Sequence, residues 1–260
     1  MIEVDGIILV LSCQKHMNTR LKHCKLPQNQ YGKWEVIYVI GDLFLDSDYA
    51  INGNCMTIKC EDSYIHLLKK LVLALKYIYE LFDIKQGVLR CGDDLLFNET
   101  LLVNFLDSEK EDFIGKTPLN QSLLASDITD ELMKRTRDDF FMVNYYNLHP
   151  EDFDNPQHNL KGVDIQQYIK RPEIAIGAAG VLFYISNKCC KLLIDHLESI
   201  NYDIFCYDDF TDSYPYTIED CAVCYILYRN RISFIHNYSM FTEYNESDAI
   251  AIHTNMYKYN

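Results

Sequence analysis

Positive charge is scarce in this chain: 24 lysines and arginines stand against 38 aspartates and glutamates, a net charge of −14. A surface that neutralises nucleic-acid phosphates needs clustered Lys and Arg, so the balance argues against a nucleic-acid partner. An acidic chain still binds an anionic nucleotide when a metal ion and a local basic pocket screen the charge. Long apolar runs are missing too. Ile7 to Leu11 is too short to cross a bilayer, and Glu3 and Asp5 precede it where a signal peptide carries positive charge. There is no repeat, no low-complexity tract and no glycine-rich phosphate loop. Ten cysteines are present, but their spacing is not that of a disulfide framework. Cys189 and Cys190 are adjacent, and Cys13, Cys55 and Cys91 lie in or beside apolar runs. They read as reduced, mostly buried thiols. Together these absences predict a soluble, cytoplasmic chain with no membrane span.

What is present is enough for a folded domain. At 260 residues, 48% hydrophobic and 24% charged, the chain can bury roughly 70–75% of its unfolded surface. The pattern predicts strands at Gly6–Cys13, Trp34–Asp42, Cys55–Cys60, Gly87–Cys91 and Phe113–Lys116, with a polar, basic segment through Lys25 after the first. Asp62 reads as a helix N-cap, because Leu67, Leu68, Leu71, Leu75, Ile78 and Leu81 recur after it at helical spacing. A second helix is expected from about Glu99 to Leu106. Leu119 to Pro172 is charged, aromatic and irregular. Beyond it lie an apolar strand Ile174–Ser186, helices near Lys188–Ile200 and Ile218–Tyr228, and a strand Ile232–His236. Alternating strands and helices predict an α/β fold with a mostly parallel central sheet flanked by helices. One domain over 1–260 is expected, with halves at about 1–118 and 119–260.

Four local features carry chemistry. In Gly87-Val88-Leu89-Arg90-Cys91-Gly92-Asp93-Asp94 an apolar strand ends in two carboxylates, and such strand tips are where open α/β sheets bind ligands. Paired acids there suit a divalent cation itself bound to phosphate, although a bare Asp-Asp pair is equally what a polar turn provides. Gly177 to Ser186 is an apolar strand whose glycines, Gly177 and Gly180, permit close approach or relieve crowding. Glu219-Asp220 opens an apolar helix, where simple N-terminal capping is the rival explanation. His253 lies near the C-terminal end, a common place for exposed histidines. Two further signals are weaker. Cys221-Ala222-Val223-Cys224 has CxxC spacing with His236 downstream, but no second pair exists and helical spacing in an apolar run predicts core. Among twenty tyrosines, Tyr145, Tyr146, Tyr214 and Tyr216 are candidates to stack on a sugar or base.

The order of these features resembles the inverting β-1,3-glycosyltransferases of the galactosyltransferase and Fringe type. That family reads Asp-x-Tyr-x-Asn-Leu-x-x-Lys-Thr at a helix, then Lys-x-Asp-Asp-Asp-x-x-Phe, later Ser-Gly-x-x-Tyr-x-x-Ser and Glu-Asp-Val. Here the first segment is Asp62-Ser63-Tyr64-Ile65-His66-Leu67-Leu68-Lys69-Lys70 and the second is Arg90-Cys91-Gly92-Asp93-Asp94-Leu95-Leu96-Phe97. Phe113-Ile114-Gly115-Lys116 matches the strand after it, and Thr217-Ile218-Glu219-Asp220-Cys221 opens the last helix. The similarity runs from Ser12 to His253. It departs at Gly92, which replaces the first acid of the triplet, and at Ala178 and Ala179, where the family has Ser and Gly.

The resemblance implies a GT-A fold and a metal-dependent, inverting transfer of a sugar from a nucleotide donor, UDP-linked, to a hydroxyl of a glycan or glycoprotein. It implies Mn²⁺, or Mg²⁺, held by Asp94 with Asp93 and His253. A mixed carboxylate and imidazole set favours Mn²⁺. Ser12, Arg20, Asp62, Lys70 and Asp93 become candidates for the donor side, with a solvated helix face the alternative for Lys70. Asp220 takes the role of general base, with Glu219 the fallback. Two other functions compete: a glycan-binding protein that has kept the fold without turnover, and a metal-dependent nucleotidyltransferase.

Overall fold

The computed structural model describes residues 1–23, 26, 31–174, 176–199, 218–244 and 248–254. Tyr214, Tyr216, Thr217 and Lys25 lie outside them. The chain runs β1 (Ile2–Leu11), α1 (Arg20–His23), β2 (Trp34–Gly41), β3 (Tyr49–Asn52), β4 (Cys55–Ile58), α2 (Leu67–Leu81) and β5 (Phe82–Cys91). It continues through β6 (Leu95–Phe97), α3 (Glu99–Asp107), β7 (Phe113–Gly115), α4 (Asp130–Lys134), β8 (Thr136–Asp138), α5 (Phe140–Leu148) and β9 (Lys170–Pro172). The last elements are β10 (Leu182–Ser186), α6 (Asn187–Ser199), α7 (Glu219–Arg229), β11 (Ile235–His236), β12 (Phe241–Thr242) and β13 (Ala251–His253).

Eight strands form the central sheet in the order β11-β7-β10-β5-β1-β2-β4-β3. The pairs β5/β1, β1/β2, β2/β4 and β11/β7 are parallel, whereas β10 runs antiparallel to both its neighbours and β3 is antiparallel to β4. The fold is therefore mixed α/β, as the alternation predicts, and the central sheet draws strands from both halves of the chain. A continuous apolar strand is what a sheet covered on both faces requires. In β1, Ile7, Leu9 and Leu11 join a core that includes Leu68, Leu71 and Leu75 of α2, while Ile8 and Val10 face a second core with Trp34, Tyr38 and Phe105. That alternation is the two-residue period of a strand.

Several predicted boundaries move. β1 begins at Ile2 rather than Gly6. β5 starts directly after α2, its polar first half being carried by pairing with β1. β3 was not foreseen: Asn52-Gly53 turns the chain back onto β4, with Gly53 at φ +62°. The expected strand Ile174–Ser186 shortens to β10, because Gly177 sits at φ +102°, outside extended geometry. Ile232–His236 shortens to β11. Among the described residues, no helix is long and apolar enough to cross a membrane.

Candidate active site

Because β1, β2, β4 and β5 are parallel, their C-terminal ends share one edge of the sheet. Ser12 follows β1, Asp62 follows β4, and Asp93-Asp94 follow β5. The small sheet β12-β13-β6 then adds to this edge. β13 pairs antiparallel with β6 so that His253 stands opposite Leu95, the residue after Asp94. Thr254 completes the closure, giving both its backbone N–H and its hydroxyl to the Asp94 carbonyl at 2.9 Å.

The two adjacent carboxylates have different surroundings. Asp93 is 5% exposed and turns inward. Its Oδ2 accepts from the Ser12 hydroxyl at 2.7 Å and lies 2.8 Å from His16 Nδ1, while Arg20 Nη1 is 3.4 Å from Oδ1. Burial alone would raise the Asp93 carboxyl, but His16, Ser12 and Arg20 reverse this and hold it below the usual carboxylate range. Burial likewise disfavours charge on His16, yet the bond to Asp93, aided by Cys13, lifts it to about 9. The pair is an imidazolium and a carboxylate at neutral pH. Asp94 faces outward. Its Oδ2 lies 3.3 Å from His253 Nε2 and 3.8 Å from Arg20 Nη1. The Asp94 bond raises His253 against the opposing effect of burial, with Glu243 adding to the rise.

Gly92 has a local reason. A Cβ there would come within 2.9 Å of Asp94 Oδ1, so a third acid at this position would press on the outward carboxylate. Gly92 N–H also donates to the Val181 carbonyl at 3.1 Å, tying the acidic tip to the chain that enters β10.

That chain carries the second acidic pair. Gly180 N–H donates to Asp220 Oδ2 at 2.8 Å, and Cys221 N–H to Asp220 Oδ1 at 2.8 Å. Two of the roughly four acceptor positions on the half-buried carboxylate are thus taken. Glu219 is fully engaged elsewhere. It is buried, and Arg90 binds it through Nε at 3.0 Å and Nη2 at 2.9 Å, while Arg90 Nη1 also donates to the Gly180 carbonyl. Burial pushes the Glu219 carboxyl up, Arg90 opposes the rise and the charge of Asp220 adds to it. Both oxygens of Glu219, the fallback base, are thus taken by Arg90 beside Asp220.

Two donor-side candidates, Asp62 and Lys70, are paired with each other. Asp62 does not cap the helix. Its Oδ1 accepts from Gly41 N–H at 2.8 Å and from Lys70 Nζ at 2.5 Å, and its Oδ2 accepts from Gln14 N–H at 2.7 Å. Lys70 is neither on a solvated face nor open to a phosphate. It is 1% exposed and also donates to the Ser12 carbonyl at 2.8 Å. Burial disfavours its charge, but Asp62 keeps the ammonium raised above its ordinary value. This buried pair braces the turn that presents Ser12 and His16. Cys221 and Cys224 lie in the core, as their spacing predicts. Tyr146 is buried, and the Tyr145 hydroxyl donates to Asp152 at 2.7 Å beside the exposed ring of Tyr64.

Sequence reasoning missed His16 and Arg90. A charged residue inside Val88-Leu89-Arg90-Cys91 was a usable signal, since a buried guanidinium demands a buried partner. His16 gave none beyond its place in a basic segment. Among the described residues, no group of three or more His, Cys, Asp or Glu side chains converges as metal ligands. Asp94 and His253 nonetheless fit a shared cation: neighbouring ligands roughly 2.1 Å from a metal stand about 3 Å apart, close to the 3.3 Å seen. Two protein ligands suit a cation that completes its shell with phosphate oxygens. Compared with known proteins, the chain matches no family model, and no curated protein is similar to it in sequence.

Proposed function

We propose that the protein is a metal-dependent, inverting glycosyltransferase of GT-A type that moves a sugar from a nucleotide donor, UDP-linked, to a glycan hydroxyl. The observation that carries this reading is the joining of two acidic centres at one sheet edge. Asp94 stands with His253 and Arg20. Asp220 hangs from Gly180, whose next residue holds Gly92 beside Asp94. A nucleotide-sugar transferase needs both: one centre for the diphosphate and one for the incoming hydroxyl.

The residues divide the work accordingly. Asp94 and His253 would hold Mn²⁺, or Mg²⁺, which when bound supplies Lewis-acid stabilisation of the departing diphosphate. Arg20 adds a positive charge on the same side. Asp93, satisfied by Ser12 and His16, sets the direction of the tip. Asp220 accepts the proton of the acceptor hydroxyl as its oxygen bonds to the anomeric carbon from the face opposite the leaving group. The anomeric carbon–oxygen bond breaks with its electron pair on the diphosphate, so the nucleoside diphosphate departs and the configuration inverts. The acceptor falls to the 119–260 half, and the reading is of a soluble, cytoplasmic enzyme.

A melting-temperature screen with UDP, GDP and CMP, each with and without Mn²⁺, tests the donor side. The expected result is a rise with UDP that requires Mn²⁺ and disappears in Asp94→Ala. No rise with any nucleotide removes the donor site and leaves a glycan-binding protein as the better account.

A further inference from the structure

Arg20 approaches the same carboxylate that a bound cation would use. Its Nη1 is 3.4 Å from Asp93 Oδ1 and 3.8 Å from Asp94 Oδ2, and its side chain is only 13% exposed. Asp94 Oδ2 is also the atom that meets His253 Nε2. One oxygen thus faces both a guanidinium and an imidazole. Asp93 differs, because Ser12 and His16 satisfy its Oδ2 without help from Arg20. A metal ion on Asp94 Oδ2 would sit within a few ångströms of the guanidinium, and two cations so close in a half-buried site repel strongly. An arginine side chain has several rotatable bonds, whereas the Asp94 backbone is held at its carbonyl by Thr254.

We propose that Arg20 is an internal substitute for the cation. It neutralises Asp94 when no metal is bound, yields that carboxylate when the metal arrives, and turns its freed guanidinium to the diphosphate. This rests on the metal–diphosphate reading given above. Arg20 therefore acts in opposite senses on the two ligands: it competes with the metal and assists the nucleotide. Removing it separates the two effects.

The test measures binding, not turnover. Mn²⁺ alone is titrated by electron paramagnetic resonance, and UDP is then titrated by calorimetry at saturating Mn²⁺, using wild type, Arg20→Met, Arg20→Lys and Asp94→Asn. The expected result is Mn²⁺ binding about tenfold tighter in Arg20→Met and UDP binding about tenfold weaker, a span typical of coupled sites. Arg20→Lys keeps the charge with a shorter reach and moves both affinities the same way by a smaller factor. It carries the test if Arg20→Met does not fold. Asp94→Asn loses Mn²⁺ binding. If wild type binds UDP with Mn²⁺ but the Arg20 variants weaken both ligands or leave Mn²⁺ unchanged, the substitute-cation role is overturned and the donor site stands. If neither wild type nor the Arg20 variants bind Mn²⁺ or UDP, the metal–diphosphate reading falls and takes this role with it.

Discussion

At the scale of single residues, position in the chain says little about role until partners are known. Asp93 and Asp94 are neighbours in sequence, yet one is a buried member of a Ser12–His16–Arg20 cluster and the other faces outward beside His253. The buried pair has a consequence for stability. His16 is raised in the folded protein to about 9 from an unfolded value near 6.5, so its contribution is full below about pH 6.5 and is lost as pH rises through about 9. That range corresponds to at most about 3 kcal/mol. Asp93 is held low instead, so its contribution is present above an ordinary carboxylate value and is lost as pH falls through its depressed one. Chemical denaturation between pH 6 and 10 in metal-free buffer should show wild type losing stability steadily. His16→Asn should be less stable at pH 6 and should lose less stability than wild type across the range, the buried thiols, raised by burial, accounting for the loss that remains at high pH. Equal slopes would contradict the pairing.

At the scale of elements, the link between β5 and α7 holds the two acidic centres in register. Arg90 reaches from β5 to Glu219 at the start of α7 and to the Gly180 carbonyl, and Asp220 takes the Gly180 N–H. Removing one member of a buried ion pair typically costs about 3–5 kcal/mol because the other charge is left unpaired, whereas replacing both with apolar groups is often near neutral. Arg90→Met alone should therefore lower stability by several kcal/mol in urea unfolding, and Arg90→Met with Glu219→Leu should recover most of it. If the double variant is no more stable than the single one, the pair is not the tie described here. The elements themselves were largely legible. The apolar runs that became β1, β2, β5 and β7 announced buried strands, and the leucine spacing announced α2. The β3 hairpin was missed although Asn52-Gly53 is a turn signal, because Tyr49–Asn52 is short and mostly exposed. Strand β10 was drawn too long because apolar composition does not reveal a glycine at positive φ.

At the scale of the whole molecule, the acidic balance of −14 and the basic cluster at the sheet edge are complementary. The few positive groups near the site, Arg20, His16 and His253, are all engaged with Asp93 or Asp94. An anionic donor would be drawn to this edge only with a cation in place, so binding should be steeply metal-dependent. This is also where sequence reasoning fell short. Order along the chain proposed Asp94, His253 and Asp220, and the motif proposed Asp62 and Lys70 for the donor side, where the geometry shows a buried brace. Nothing in local spacing distinguishes a lysine that meets a phosphate from one that meets an aspartate eight residues earlier. The central claim is transfer of a sugar from a nucleotide. The most direct measurement is release of the leaving nucleotide (UDP, GDP or CMP) from a panel of UDP-, GDP- and CMP-sugars with Mn²⁺, on wild type and Asp220→Asn. Release by wild type from a UDP-sugar, at least about 100-fold slower in Asp220→Asn with UDP affinity unchanged, is the predicted result. Pyrophosphate release from a nucleoside triphosphate with every nucleotide sugar left intact would contradict it.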